Sequence, residues 1–399
     1  MNKYKKRKKC VIYFFICVNC LFLSGCWDRT EINDLALVTG IGIDQKGKDV
    51  MLTVQLIVPK LLGAGTSMNG SNTGGGGATI VRSGTGKTLA DAIANLQEKL
   101  PRRLFWGHVK AIVFGEKAAE AGIRPHMDFL SRNPQMRLRS NVLVASGTAK
   151  SVLELLPPIE QSSAEVMREL SKSEILMNAT LKDVLQMLSD DTRAAALPMV
   201  KILPVEKGKT KLETIPFING TAIFKKDKMI GSIGDKLTRG VLWLRNEIKQ
   251  ANITVSVKGV KGKITATIIH AHTQLIPKYE KGSWKMVVNI TSQDDILLNA
   301  TNFSLYNEQH IHRLEKELAR ATTARVEAAL QKVQKEMNAD ILGFADAFHR
   351  KYPKEWNRVK KRWDEIFPTI EVTVKTKITI QRPGMNTTPQ GIPAEEVEK

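Results

Sequence analysis

The sequence predicts an α+β protein of three successive domains, each a mixed or mostly antiparallel sheet with packed helices, behind a cleaved lipoprotein signal. Three observations lead there. Period-2 alternation and 3.6-period apolar stripes interleave along the chain, as strands and helices sharing layers require. A length of 399 residues suits two or three domains rather than one. The only apolar run of near-membrane length lies at the extreme N-terminus, which excludes a polytopic membrane protein. Apolar residues make up 42% of the chain and charged residues 25%, a globular balance that can bury its cores without disulfides.

The N-terminus reads as an address. Lys3, Lys5, Lys6, Arg7, Lys8 and Lys9 form a basic start, and Val11 to Leu23 follow as a 13-residue apolar run. A spanning helix needs about 20 apolar residues, so residues 1–25 are expected to be an export signal. Leu23-Ser24-Gly25-Cys26 then reads as a lipobox, with cleavage between Gly25 and Cys26 and a diacylglyceryl group on the Cys26 thiol. An uncleaved anchor ending in an incidental cysteine is the alternative. Two acyl chains anchor stably, at about 0.8 kcal/mol per buried CH₂, so the mature protein is expected on the outer face of a cytoplasmic membrane.

All four cysteines (Cys10, Cys17, Cys20 and Cys26) fall in this segment. The folded body therefore has no disulfide, thiolate nucleophile or cysteine metal site. The chain carries 60 Lys and Arg against 40 Asp and Glu. The compartment argues against nucleic acid as the partner of this surplus. Attraction to anionic lipid or wall polymer fits, as does a merely solvated surface.

The first domain is expected over 26–148. Ala36–Asp44 and Val50–Val58 read as a hairpin around Gln45-Lys46-Gly47-Lys48. Residues 63–77 read as a flexible Gly-rich loop. A strand near 78–82 precedes a helix over Leu89–Leu100, where Leu89, Ile93, Leu96 and Leu100 form one stripe. Val109–Phe114 and Asn141–Ala145 read as strands, with helices filling 116–132. The middle domain, 149–250, carries a helix marked by Leu181, Val184, Leu185 and Leu188 and a hairpin around Lys226-Asp227.

The C-terminal domain, 251–383, alternates at Ile253, Val255 and Val257, at Ile264, Ala266 and Ile268, and at Trp284, Met286, Val288 and Ile290. Its last strand places Val372, Val374, Ile378 and Ile380 on one face. Residues 307–338 read as a long helix, about 48 Å if continuous, packed across the local sheet, with a partner-binding helix as the alternative. Its stripe drifts at Arg325. Residues 384–399 read as a frayed tail.

Four blocks carry a family resemblance. Cys26-Trp27-Asp28-Arg29-Thr30-Glu31-Ile32-Asn33-Asp34-Leu35-Ala36 continues through Gly40-Ile41-Gly42-Ile43-Asp44. Leu100-Pro101-Arg102-Arg103-Leu104-Phe105-Trp106-Gly107-His108 is the second. Asn219 to Phe224 with Arg239 to Trp243 is the third, and Trp356 to Val374 the fourth. Together they resemble the Ger(x)C family, the C-subunit lipoproteins of bacterial spore germinant receptors. The resemblance covers essentially the whole mature chain. It implies a peripheral, lipid-anchored, non-enzymatic subunit with two integral membrane partners, of A and B type, in the inner membrane of the spore. That complex senses nutrients and triggers germination. A solute-binding lipoprotein and a wall-facing hydrolase are the rival readings of an exported α/β chain.

Two blocks are candidate interfaces. Trp27, Asp28 and Arg29 lie beside the lipid by covalent connection alone. Arg102, Arg103 and Trp106 mix cations and an aromatic ahead of a strand, a pattern enriched at partner and headgroup contacts, with core packing of the aromatic as the alternative.

Other patterns are read as structural. Gly84-Thr85-Gly86-Lys87-Thr88 would need a glycine at Val81 to make a phosphate loop, and is expected to be a turn. His270 and His272 share a strand face with Ile264, Ala266 and Ile268, but no third ligand is evident. His310 and His312 point to different helix faces. Asp190-Asp191 and Asp294-Asp295 are expected in turns or caps. No catalytic, cofactor or metal site is expected.

Overall fold

The tight turn at Gly47, whose φ is +63°, lets β1 (Leu35–Lys46) and β2 (Asp49–Ile57) pair as the expected hairpin. A computed structural model describes residues 32–58 and 79–384, with Tyr13 and Val397 as single positions. The signal, Gly25, Cys26, the Trp27–Arg29 block, the 63–77 insert and almost all of the tail lie outside the described residues. Residues 38–44 of β1 are all buried, so this strand is covered on both faces.

β3 (Thr79–Gly86) pairs with β2, and α1 (Leu89–Gln97) folds back onto it. β4 (Arg103–Phe105) and β5 (Ala111–Gly115) both run parallel to β1. The expected helices over 116–132 are two, α2 (Glu116–Ala121) and α3 (Arg124–Arg132), leading to β6 (Asn141–Ala145). α4 (Ala149–Leu153), α5 (Ser163–Lys172) and α6 (Leu181–Ser189) come next. β7 (Ala194–Ile202), β8 (Pro216–Lys225) and β9 (Lys228–Gly234) close a nine-stranded sheet. Its order is β3-β2-β1-β5-β6-β7-β8-β9, with β4 beside the start of β1.

This sheet runs across the expected border between 148 and 149. β6 and β7 pair in parallel through Val144 with Met199 and Ala145 with Val200, so the first and middle units share one sheet. A parallel pairing across three intervening helices leaves no local trace, because each strand looks the same whichever neighbour it takes.

Gly40 and Asp44 of the first block are explained by packing. A Cβ on Gly40 would lie 2.8 Å from Leu153 Cδ2 and 3.1 Å from Ala164 Cβ, so α4 and α5 approach β1 over a bare backbone. Asp44 anchors α4, accepting from the amides of Ala149 at 2.7 Å and Lys150 at 3.0 Å. Burial pushes its carboxyl above the usual range, against those two bonds.

The second sheet follows α7 (Asp235–Leu244). Its strands are β10 (Asn252–Val255), β11 (Ile264–Glu280), β12 (Ser283–Asn299) and β13 (Glu371–Arg382), paired in that order with β13 parallel to β12. The expected long helix is α8 (Glu308–Leu330), continued by a π-helical turn at Gln331–Glu336. It packs on β13, β10 and α7, and buries Leu314, Leu318, Thr322, Val326 and Ala329. The drift at Arg325 is the point where α7 crosses. A Cβ on Gly240 of α7 would lie 2.6 Å from the Arg325 carbonyl oxygen and 2.7 Å from Ala329 Cβ.

α9 (Phe344–Lys351) and α10 (Pro353–Val359) complete the second core. There Trp284, Phe348, Trp356 and Trp363 meet edge-on, with ring centroids 4.8 to 6.3 Å apart. Asp340 sits among them, accepting from the amides of Leu342, Phe344 and Ala345 and from the Trp363 indole at 3.0 Å.

The third block is the joint between the sheets. Thr221 of β8 and Thr238 of α7 share a 2.9 Å hydroxyl bond, and Trp243 is fully buried. Trp356 Nε1 donates to Asp191 at 3.2 Å, Lys225 pairs with Asp364 at 3.0 Å, and Arg245 donates to the Ile341 carbonyl at 2.8 Å.

Candidate interaction surface

The described chain enters through a single 3₁₀ turn at Ile32–Asp34 and passes straight into β1. Beside this entry Leu35 pairs with Arg103 of β4. The second block therefore lies beside the start of the described body. Its two halves separate. Arg103 is exposed and Arg102 half-buried, and neither makes an ion pair among the described residues. Trp106 is only 7% exposed, packed in the first sheet's core with Leu104, and its amide donates to Gln135 Oε1 at 3.0 Å. Trp106 is thus a core residue rather than an interface one, buried just past the end of β4.

The cations continue past Trp106. At the N-terminal ends of β5 and β6 lies a cavity of about 520 Å³ lined by His108, Lys110, Arg137, Arg139, Arg168 and Lys172. Backbone pairing fixes its floor. The Lys110 amide donates to the Thr39 carbonyl at 2.8 Å, and the Lys110 carbonyl accepts from Asn141 at 3.0 Å. The α5 side is built by Ser162, whose hydroxyl caps the Glu165 amide at 3.1 Å. Glu165 then binds both Lys110 and Arg168. Burial raises its carboxyl, but the bonds to Arg168 and Lys110 together outweigh this and hold it below the usual range. Glu169 pairs with Arg168 and, at 3.0 Å, with Lys172.

Arg137 and Arg139 are different. Both are exposed and neither has an ion pair among the described residues. They flank Leu138, which is 51% exposed, in the connection from α3 to β6. The Leu138 carbonyl accepts from the Lys182 amide at 3.0 Å, which pins this loop to α6. The Arg-Leu-Arg triplet is visible in the sequence. Its convergence with residues 168 and 172 is not, since only the sheet order brings them together.

The remaining candidates resolve structurally. Gly84 and Gly86 belong to β3 and let α1 pack against it: a Cβ would meet the Ala92 carbonyl oxygen at 2.4 Å from Gly84 and the Ala92 nitrogen at 2.5 Å from Gly86. Thr88 and Asp91 form a capping box on α1, so its first amides already have partners. A bulge between Ile268 and His270 reverses the phase of β11. His270 and His272 therefore face outward, away from the buried face of Ile264, Ala266 and Ile268, correcting the expected shared face. His310 is buried, with Nδ1 2.9 Å from the Ser304 carbonyl, whereas His312 is exposed beside Glu308 and Glu315, as expected of opposite faces. Asp190 caps the end of α6, but Asp294 lies mid-strand in β12 with its side chain in the core, not in a turn. Among the described residues no group of three or more His, Cys, Asp or Glu is placed to hold a metal ion.

Two family models match the chain. "Spore germination protein N-terminal domain" covers residues 28–202, and "Spore germination B3/ GerAC like, C-terminal" covers 219–384. The protein YfkR of Bacillus subtilis (strain 168), named for spore germination, is 30% identical over 94% of this chain and 97% of its own length. The chain belongs to the Ger(x)C family. Spore germination protein KC of the same organism is 27% identical over 96% of this chain and 98% of its own length. The crystal structure of the GerBC protein matches with a TM-score of 0.57 at 21% identity, covering 86% of this chain and 97% of that one, and so shows the same fold. The boundary between the two family regions falls between β7 and β8, inside the first sheet. The C-terminal family region of this chain thus supplies most of β8 and all of β9 to the sheet built by the N-terminal region.

Proposed function

We propose that this chain is the lipid-anchored, non-enzymatic C-type subunit of a nutrient germinant receptor. It is held by diacylglyceryl on Cys26 to the outer face of the spore's inner membrane. There it assembles with two integral membrane subunits, of A and B type, and helps turn nutrient binding into the germination response. The observation that carries this reading is the reach of the family match, which begins at residue 28, two positions after the lipobox cysteine, and runs to residue 384. The family body thus starts directly after the expected export signal and lipid site. Two acyl chains supply the anchor, and the interlocked sheets supply a rigid body for docking on membrane partners.

The anchor has a direct test. Cys26→Ala should leave the protein unlipidated and shift it out of the detergent-extractable membrane fraction of spores. The wild-type N-terminal peptide should carry the diacylglyceryl mass on Cys26. An unmodified Cys26 in the wild-type peptide would remove the anchor from the proposal.

A further inference from the structure

We infer that the basic cavity at the N-terminal ends of β5 and β6 is a binding site for the phosphate of anionic phospholipid headgroups, so that the body lies on the membrane with this end down. The inference rests on the anchored reading for which membrane is met, but the site itself stands on geometry.

Charge comes first. Lys110, Arg137, Arg139, Arg168 and Lys172 line the cavity, and among the described residues no carboxylate lines it. Glu165 and Glu169 behind it engage Lys110, Arg168 and Lys172, which fixes three of the cations in place, while Glu160 acts on Arg168 only at longer range. Arg137 and Arg139 remain without any ion pair among the described residues. Arginine suits this role, since its planar fork matches phosphate oxygens in pairs. The cavity, about 520 Å³, is large enough for a headgroup.

Position comes second. The chain enters at Leu35, on the same end of the sheet as Lys110 and Asn141, because β1, β5 and β6 are parallel and in register there. Cys26 precedes Leu35 by nine residues. Fully extended, that stretch spans at most about 30 Å, so the cavity's end of the body cannot stand far from the acyl chains.

The third observation is Leu138. Its aliphatic side chain is 51% exposed, and in the chain it stands between two arginines without an ion pair among the described residues. Water gives that arrangement no reward, whereas a headgroup layer over hydrocarbon satisfies both parts.

The test uses the mature chain from residue 26 with Cys26→Ser, which removes the lipid and leaves the surface as the only means of attachment. Its sedimentation is compared on vesicles of pure phosphatidylcholine and on vesicles containing phosphatidylglycerol. Binding is expected to the anionic vesicles alone and to fall as salt shortens the screening length. Arg137→Glu with Arg139→Glu should weaken it about tenfold or more, as each basic side chain near such a surface counts substantially. Leu138→Ala should weaken it less. Both sites are exposed, so unfolding curves should coincide with that of the parent, and Arg139→Gln serves if the double charge reversal does not fold. Equal binding to both vesicle types, or undiminished binding by the arginine variants, would overturn the inference. So would binding that requires a receptor partner instead of lipid. None of these outcomes depends on whether Cys26 is lipidated.

Discussion

Gly240→Ala is expected to destabilise the protein, although alanine is the better helix former. In an unhindered helix that exchange gains about 1 kcal/mol. Here the new Cβ would lie 2.6 Å from the Arg325 carbonyl oxygen and 2.7 Å from Ala329 Cβ, against α8. The first obstacle is backbone, which cannot swing aside as a side chain can. α7 and α8 must separate, and the loosened packing reaches Trp243 and Val241, both fully buried. Overpacking of this kind costs about 1–3 kcal/mol, and Gly240→Val should cost more. Because α7 follows directly from β9, the damage falls on the joint between the sheets. The midpoint of denaturant unfolding should drop for Ala and further for Val. A midpoint that rises with Ala would show that the helices are not in contact at this position.

Asp294 should give the protein a stability that falls with pH in the mildly acidic range. Its side chain is fully buried in β12. One carboxyl oxygen accepts from Ser292, and the other has no hydrogen-bond partner among the described residues. Burial, helped by the neighbouring Asp295 and opposed by Ser292, pushes its pKa up to about 6 from an ordinary 3.8. The folded state therefore keeps a proton that the unfolded chain gives up. The stability from this group is fully present below about 3.8, declines as pH rises through about 6, and is flat above that. The total decline is on the order of 3 kcal/mol. Asp294→Asn keeps an acceptor for Ser292 and has no charge to bury. It should flatten this part of the pH profile and raise stability at pH values above the window. Comparing the two proteins cancels the other buried carboxylates, Asp44, Glu165 and Asp340, and an unchanged slope in the variant would contradict the assignment.

These two positions also mark what the sequence could and could not convey. The β1–β2 hairpin, the β8–β9 hairpin and α6 are local, set by alternation, turn residues and a capping threonine, and they stand where they were expected. The alternation of β12 was equally plain, but its burial continues past Ile290 to Ser292 and Asp294, where polarity suggested a turn. The bulge after Ile268 inserts one residue and reverses every later side chain of β11, and neither histidine betrays it. The Gly84–Gly86 pair looked like a loop because close helix packing and a turn both call for glycine. The shared sheet across 148 and 149 and the basic cavity depend on the parallel neighbours of β5, β6 and β7, a global choice that no local pattern records. In the candidate block at 100–108, Arg103 is exposed, Arg102 is half-buried and the tryptophan serves the core, a division that the sequence pattern alone left open.

The central claim is that this Ger(x)C chain works in a nutrient receptor of the spore. The most direct measurement follows the optical density of spores lacking the chain during exposure to separate amino acids, sugars and nucleosides, beside a non-nutrient trigger. The account predicts that the response to at least one nutrient class is lost or severely slowed while the non-nutrient response stays intact, and that the intact gene restores it. Undiminished germination with every nutrient would contradict it.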